Sequence, residues 1–204
     1  MNVRQVSVSV LWLLVFGAAI MALEILSSSL MAPYFGASVY TWGSIISVFL
    51  VLMSAGYVLG GNLSRKTDQL RHLAPWLGAG SLAILAIPIL HRPVCTFISD
   101  MDLGPRGGPL CAALVLMGLP IFLLSMTSPF VVGSLTARRE SAGVSAGVAM
   151  GISTVGSFAG TLSTSFWLID ILKVSQIVTS IGVLCLMATV IGWVLVPWRK
   201  PESV

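Results

Sequence analysis

Residues Leu11 to Trp42 read LWLLVFGAAIMALEILSSSLMAPYFGASVYTW, and this run sets one carboxylate, Glu24, in the middle of a segment long enough to cross a bilayer. The residues before Glu24 are apolar from Val10 onward. Those after it, as far as Pro33, are apolar or small and hydroxylic, and none offers a positive charge. An ionised carboxylate at mid-membrane is costly, so the helix is expected to turn Glu24 inward, toward a partner helix or a wet cavity, or to hold it neutral. Its helical face-mates are Gly17, Ile20, Met21, Ser27, Ser28 and Met31, which brings two hydroxyls within a turn as candidate donors to the carboxylate. Glu24, Ser27 and Ser28 are therefore the candidate path or binding residues. The plainer reading makes Glu24 a neutral, hydrogen-bonded contact between helices.

Composition points the same way. Of 204 residues 56% are hydrophobic and 9% charged, the mean hydropathy is +0.99, and the apolar residues fall in long runs rather than at helical spacing. The expected fold is an all-α integral membrane protein, a single domain over 1–204 with six spans near 8–31, 43–63, 73–91, 109–132, 143–168 and 175–196. The first run is too long for a signal-peptide core and lacks a cleavage pattern, so it is expected to remain as a span. Pro88 interrupts the third span, and Pro120 with Pro129 predicts a bend or break in the fourth, whose freed carbonyls need other donors.

Six spans put both termini on one side. Arg4, Arg65, Lys66, Arg71, Arg138, Arg139, Arg199 and Lys200 fall there, against Arg92, Arg106 and Lys173 opposite, so eight of the 11 basic residues share the terminal side. Both termini are expected in the cytoplasm of a multi-pass protein of the bacterial inner membrane, and the net charge of +4 reads as a topology signal rather than a nucleic-acid patch. Trp42, Trp76, Trp167, Trp193 and Trp198 lie near span ends as interfacial anchors. The basic loop Ser64–His72 reads as an orientation signal at the headgroups.

Pro33 and Gly36 predict a tight turn after the first span. Gly56 and Gly60 are spaced for close helix contact. In the fifth span Gly143, Gly147 and Gly151 recur every four residues and Gly156 and Gly160 repeat the spacing, which predicts a central helix adjoining Glu24. Pro93 to Pro109, rich in Gly and Pro, is the largest expected external loop. Cys95 and Cys111 bracket it and could close it with a disulfide on an oxidising side, whereas Cys185 reads as a small buried apolar residue.

The run Glu24-Ile25-Leu26-Ser27-Ser28-Ser29-Leu30-Met31-Ala32-Pro33-Tyr34-Phe35-Gly36-Ala37-Ser38 with Thr41-Trp42-Gly43, then Gly56-Tyr57-Val58-Leu59-Gly60-Gly61, Thr127-Ser128-Pro129-Phe130-Val131 and Ser153-Thr154-Val155-Gly156-Ser157-Phe158-Ala159-Gly160-Thr161, resembles the membrane portion of the fused major-facilitator/spermidine synthase family. The resemblance covers nearly the whole chain. It implies a six-helix bundle like half of a major-facilitator transporter, usually followed by a cytoplasmic aminopropyltransferase-like domain that these 204 residues do not contain. Ser29 stands where the family pattern has an arginine. Near Arg65, where the family tends to have an acidic residue, only Asp68 is close.

Two functions follow as expectations. The first is a non-catalytic accessory or anchoring subunit that packs with other membrane subunits or a second copy through its glycine faces, or docks a separate aminopropyltransferase-like protein. The second is a half-module of a transporter for a small cationic, polyamine-like solute with Glu24 lining the path. No nucleotide-binding glycine loop, paired metal-ligand spacing or serine with a base appears, so no enzyme activity, cofactor or metal is expected.

Overall fold

A chain in lipid has no water to satisfy its backbone, and helices meet that demand internally. The computed structural model describes residues 3–66, 70–136 and 141–196. Asp68, Arg138, Arg139, Trp198, Arg199 and Lys200, which entered the loop and topology readings above, lie outside the described residues. The elements are α1 (Val3–Phe35), α2 (Val39–Lys66), a 3-10 turn (Leu70–His72), α3 (Ala74–Asp100), α4 (Gly104–Ser125), α5 (Thr127–Thr136), α6 (Ala142–Ser163), a π turn (Thr164–Leu168), α7 (Ile169–Ile171) and α8 (Val174–Leu195). They form six spans, α4 with α5 making the fourth and α6 through α7 the fifth. Each span is long and apolar enough to cross a membrane, which makes this an all-α multi-pass membrane bundle.

The helices run past several prolines expected to stop, interrupt or bend a span or to bound a loop. Pro33 lies inside α1, Pro88 and Pro93 inside α3, and Pro109 and Pro120 inside α4. The external loop expected from Pro93 to Pro109 is therefore reduced to Met101, Asp102 and Leu103, which turn with positive φ at Asp102 (45°) and Gly104 (70°). Each proline removes one N–H and its hydrogen bond, a loss that neighbouring packing in a bundle can offset. The first turn does use Gly36 at φ 74°, with the Thr41 hydroxyl donating to Gly36 O at 2.8 Å. The break expected in the fourth span falls at Met126, because Pro129 has no N–H for the carbonyl of Ser125. Hydroxyls serve the carbonyls just before it, Ser125 Oγ donating to Phe122 O (2.9 Å) and Thr127 Oγ1 to Leu124 O (2.8 Å).

Helix pairing shows an internal symmetry. The first span packs most extensively on the fifth, the second on the fourth, and the third on the sixth, with further contacts of third on fourth and sixth on first. Exchanging spans one, two and three with four, five and six leaves that set of contacts unchanged. The glycines obey the same exchange. Gly56 and Gly60 of α2 meet the backbone of Phe122 and Met126, while Gly156 and Gly160 of α6 meet the backbone of Leu14 and Ala18. Three spans per unit is an odd number, so the two units have opposite orientations in the membrane.

The interior is apolar, with Trp12, Phe16, Phe49 and Phe130 fully buried. The indole of Trp12 fills the space beside Gly192 and donates from Nε1 to Ala188 O at 2.8 Å, fastening α1 to α8. The fifth span is not central as expected: 17% of its apolar stretch is buried, against 61% for the fourth span. One side of α6 meets α1 through Gly156 and Gly160, but Gly143, Gly147 and Gly151 face open space. A repeat of small residues permits close approach without saying which turns lie at the crossing.

Candidate functional site

The symmetric pairing leaves a gap between the first, second, fourth and fifth spans, a cavity of about 720 Å³. From α1 it takes Leu13, Phe16, Gly17, Ile20 and Met21; from α2 it takes Met53, Tyr57, Gly61, Ser64 and Arg65. The α4–α5 break contributes Ser125, Thr127, Ser128 and Pro129, and α6 contributes Met150, Ser153, Thr154 and Ser157. Met53 to Arg65 spans three helical turns, so the cavity extends roughly 18 Å along the bundle axis. It reaches the end of the bundle that carries Arg65 and stops near mid-depth at Met21.

Most wall hydroxyls already spend their protons. Ser64 donates to Gly61 O (2.7 Å), Thr154 to Met150 O (2.8 Å) and Ser157 to Gly17 O across the α1–α6 contact (3.2 Å). Ser128 Oγ donates to Ser153 Oγ at 3.4 Å, which leaves the Ser153 proton available. The wall thus offers a ligand an arginine, a tyrosine hydroxyl, one serine donor and several hydroxyl acceptors around an apolar body. A few placed polar groups in a largely apolar concavity are what small-molecule sites present.

Glu24 is half-buried but does not line this cavity. Its face-mates Gly17, Ile20 and Met21 do, so Glu24 stands one turn beyond the cavity's inner end. Gly156 over Leu14 and Gly160 over Ala18 keep one register, which carried about a turn and a half further brings Glu24 level with the π turn Thr164–Leu168. Ser27 and Ser28 do not serve the carboxylate as expected. Ser27 Oγ donates to Leu23 O (2.6 Å) and Ser28 Oγ to Ile25 O (2.9 Å), each using its one proton on the helix's own backbone.

Cys95 and Cys111 are both free thiols, correcting the possible disulfide. They lie inside α3 and α4, and the long loop such a bond would close is absent. Cys185 is buried and free, as a small apolar residue would be. Gly56 and Gly60 sit at the α2 contact with the α4–α5 break, where their spacing placed a close approach. Among the described residues no three His, Cys, Asp or Glu side chains gather as a metal site. Sequence reasoning passed over the cavity itself, whose polar groups come from four spans and have no shared local pattern. In comparisons with known proteins the chain matches no family model, no curated protein and no solved structure.

Proposed function

We propose that the chain is a transport-type half-module, a membrane bundle that pairs with a second bundle and holds a small solute between its first, second, fourth and fifth spans. The observation that carries this reading is that the cavity lies between the first, second, fourth and fifth spans, the two pairs that the internal symmetry exchanges. Inverted repeats with a site at their interface are a recurrent transporter plan, and the family resemblance implies half of a major-facilitator transporter. With the termini in the cytoplasm, the cavity opens inward beside Arg65. Among the described residues the wall carries Arg65 and no carboxylate, so it supports a neutral or anionic solute rather than the cationic one expected from Glu24.

The accessory reading draws on the exposed face of α6, where Gly143, Gly147 and Gly151 leave room for another backbone. Both readings require a partner bundle. Crosslinking in native membranes is expected to trap this chain with a second membrane protein or a second copy of itself. Gly147→Leu should weaken that pairing by roughly tenfold or more while leaving the isolated bundle folded. A chain that stays single in native membranes contradicts the half-module and the packing subunit alike.

A further inference from the structure

At the end of the bundle opposite Arg65, a second cavity of about 470 Å³ lies between the last turns of α1, the second half of α3 and the start of α8. Among the described residues its wall contains His91, Arg92 and Lys173, the hydroxyl residues Ser29, Tyr34 and Ser175, and no Asp or Glu. The sequence places only Arg92, Arg106 and Lys173 of its 11 lysines and arginines at this end, and two of those three meet in one cavity. Arg106 is engaged elsewhere, its guanidinium 5.3 Å from the Tyr40 ring centroid.

The start of α8 adds to the positive field. Lys173 is its N-cap residue, and its N–H donates to Gln176 Oε1 at 3.0 Å. Gln176 and Ile177 N–H both reach Lys173 O, at 2.8 and 3.1 Å. The N–H groups of Val174 and Ser175 have no acceptor within the helix, and both residues line the cavity. The 22-residue helix α8 directs the positive end of its dipole to the same place. On α3, His91 Nδ1 lies 2.9 Å from Pro88 O, and since a carbonyl only accepts, Nδ1 carries the proton and Nε2 is left for another partner. Arginine, lysine and two orphan N–H groups around one hollow repel each other's charge unless an anion joins them.

We propose that this cavity binds a phosphate-type anion, either the phosphodiester of a lipid headgroup or a free phosphate. Several oxygens on one tetrahedral centre match several donors converging from two side chains and a helix start. The site is independent of the cavity beside Arg65.

The test uses the full chain purified in mild detergent, with two probes. Native mass spectrometry follows retention of phosphatidylglycerol, and thermal unfolding follows inorganic phosphate against chloride at equal ionic strength. A retained phosphatidylglycerol adduct with no phosphate shift assigns a lipid headgroup. A rise in Tm with phosphate alone assigns a free anion. In either case the double variant Arg92→Gln/Lys173→Gln should bind roughly tenfold more weakly or worse, with Arg106→Gln within about twofold of the unaltered chain. Absence of both signals in the unaltered chain overturns the proposal whether or not the variants fold. So does binding that the double variant leaves unchanged.

Discussion

Gly156→Leu is expected to abolish the folded bundle, whereas Gly147→Leu, about two and a half turns earlier on the same helix, leaves the isolated chain intact. A Cβ on Gly156 would overlap the Leu14 backbone, and neither α1 nor α6 has a flexible side chain there that could yield. Gly160 on Ala18 repeats the contact one turn on, so displacing the helices at one glycine separates them at both. The cost should reach or exceed the upper end of the roughly 1–3 kcal/mol usual for overpacking. Around Gly147 a Cβ meets nothing within 4 Å, so leucine there should change stability by no more than about 0.5 kcal/mol. The yield of monodisperse chain and its unfolding midpoint in one detergent separate the two outcomes. Equal behaviour of the two variants would mean that α1 and α6 do not cross where they are placed.

Gly60→Leu should be nearly as damaging, by the symmetry-related contact. Its Cβ would overlap the Met126 backbone, at the join where the fourth span changes from α4 to α5. That join is already short of a regular hydrogen bond because of Pro129, and hydroxyls of Ser125 and Thr127 hold its carbonyls. Pushing α2 away would expose the join and widen the cavity at Tyr57 and Ser64. A loss of at least about 2 kcal/mol is expected, with retained secondary structure and a lower unfolding midpoint. Wild-type stability in Gly60→Leu would remove one half of the proposed internal repeat.

The six spans were legible because each is an apolar run of about the length that a helix needs to cross the hydrocarbon, and a helix satisfies its own backbone in lipid. Their ends were not. Pro93 and Pro109 carry the turn signals of a water-exposed loop, yet both sit within helices that neighbouring spans support. Gly56 with Gly60 and Gly156 with Gly160 were visible as close-packing pairs. Gly143, Gly147 and Gly151 have the same spacing without a contact, since spacing does not record where two helices cross.

Glu24 drew the reading because a lone intramembrane acid is costly wherever it points. The larger cavity drew none, because Tyr57, Arg65, Ser128 and Ser153 converge only after four spans have packed. Arg92 and Lys173 were counted as a topological minority, and sequence gave no sign that they share a hollow.

Everything proposed for the larger cavity depends on its being open at the Arg65 end and closed near mid-depth. The most direct test labels single cysteines with a charged maleimide in sealed vesicles of known orientation, in a chain with Cys111→Ser. Ser128→Cys and Ser153→Cys should react with reagent on the side that carries the termini, and Leu26→Cys with reagent on neither side. Protection of Ser128→Cys and Ser153→Cys from that side, or their labelling only from the opposite one, would contradict the account.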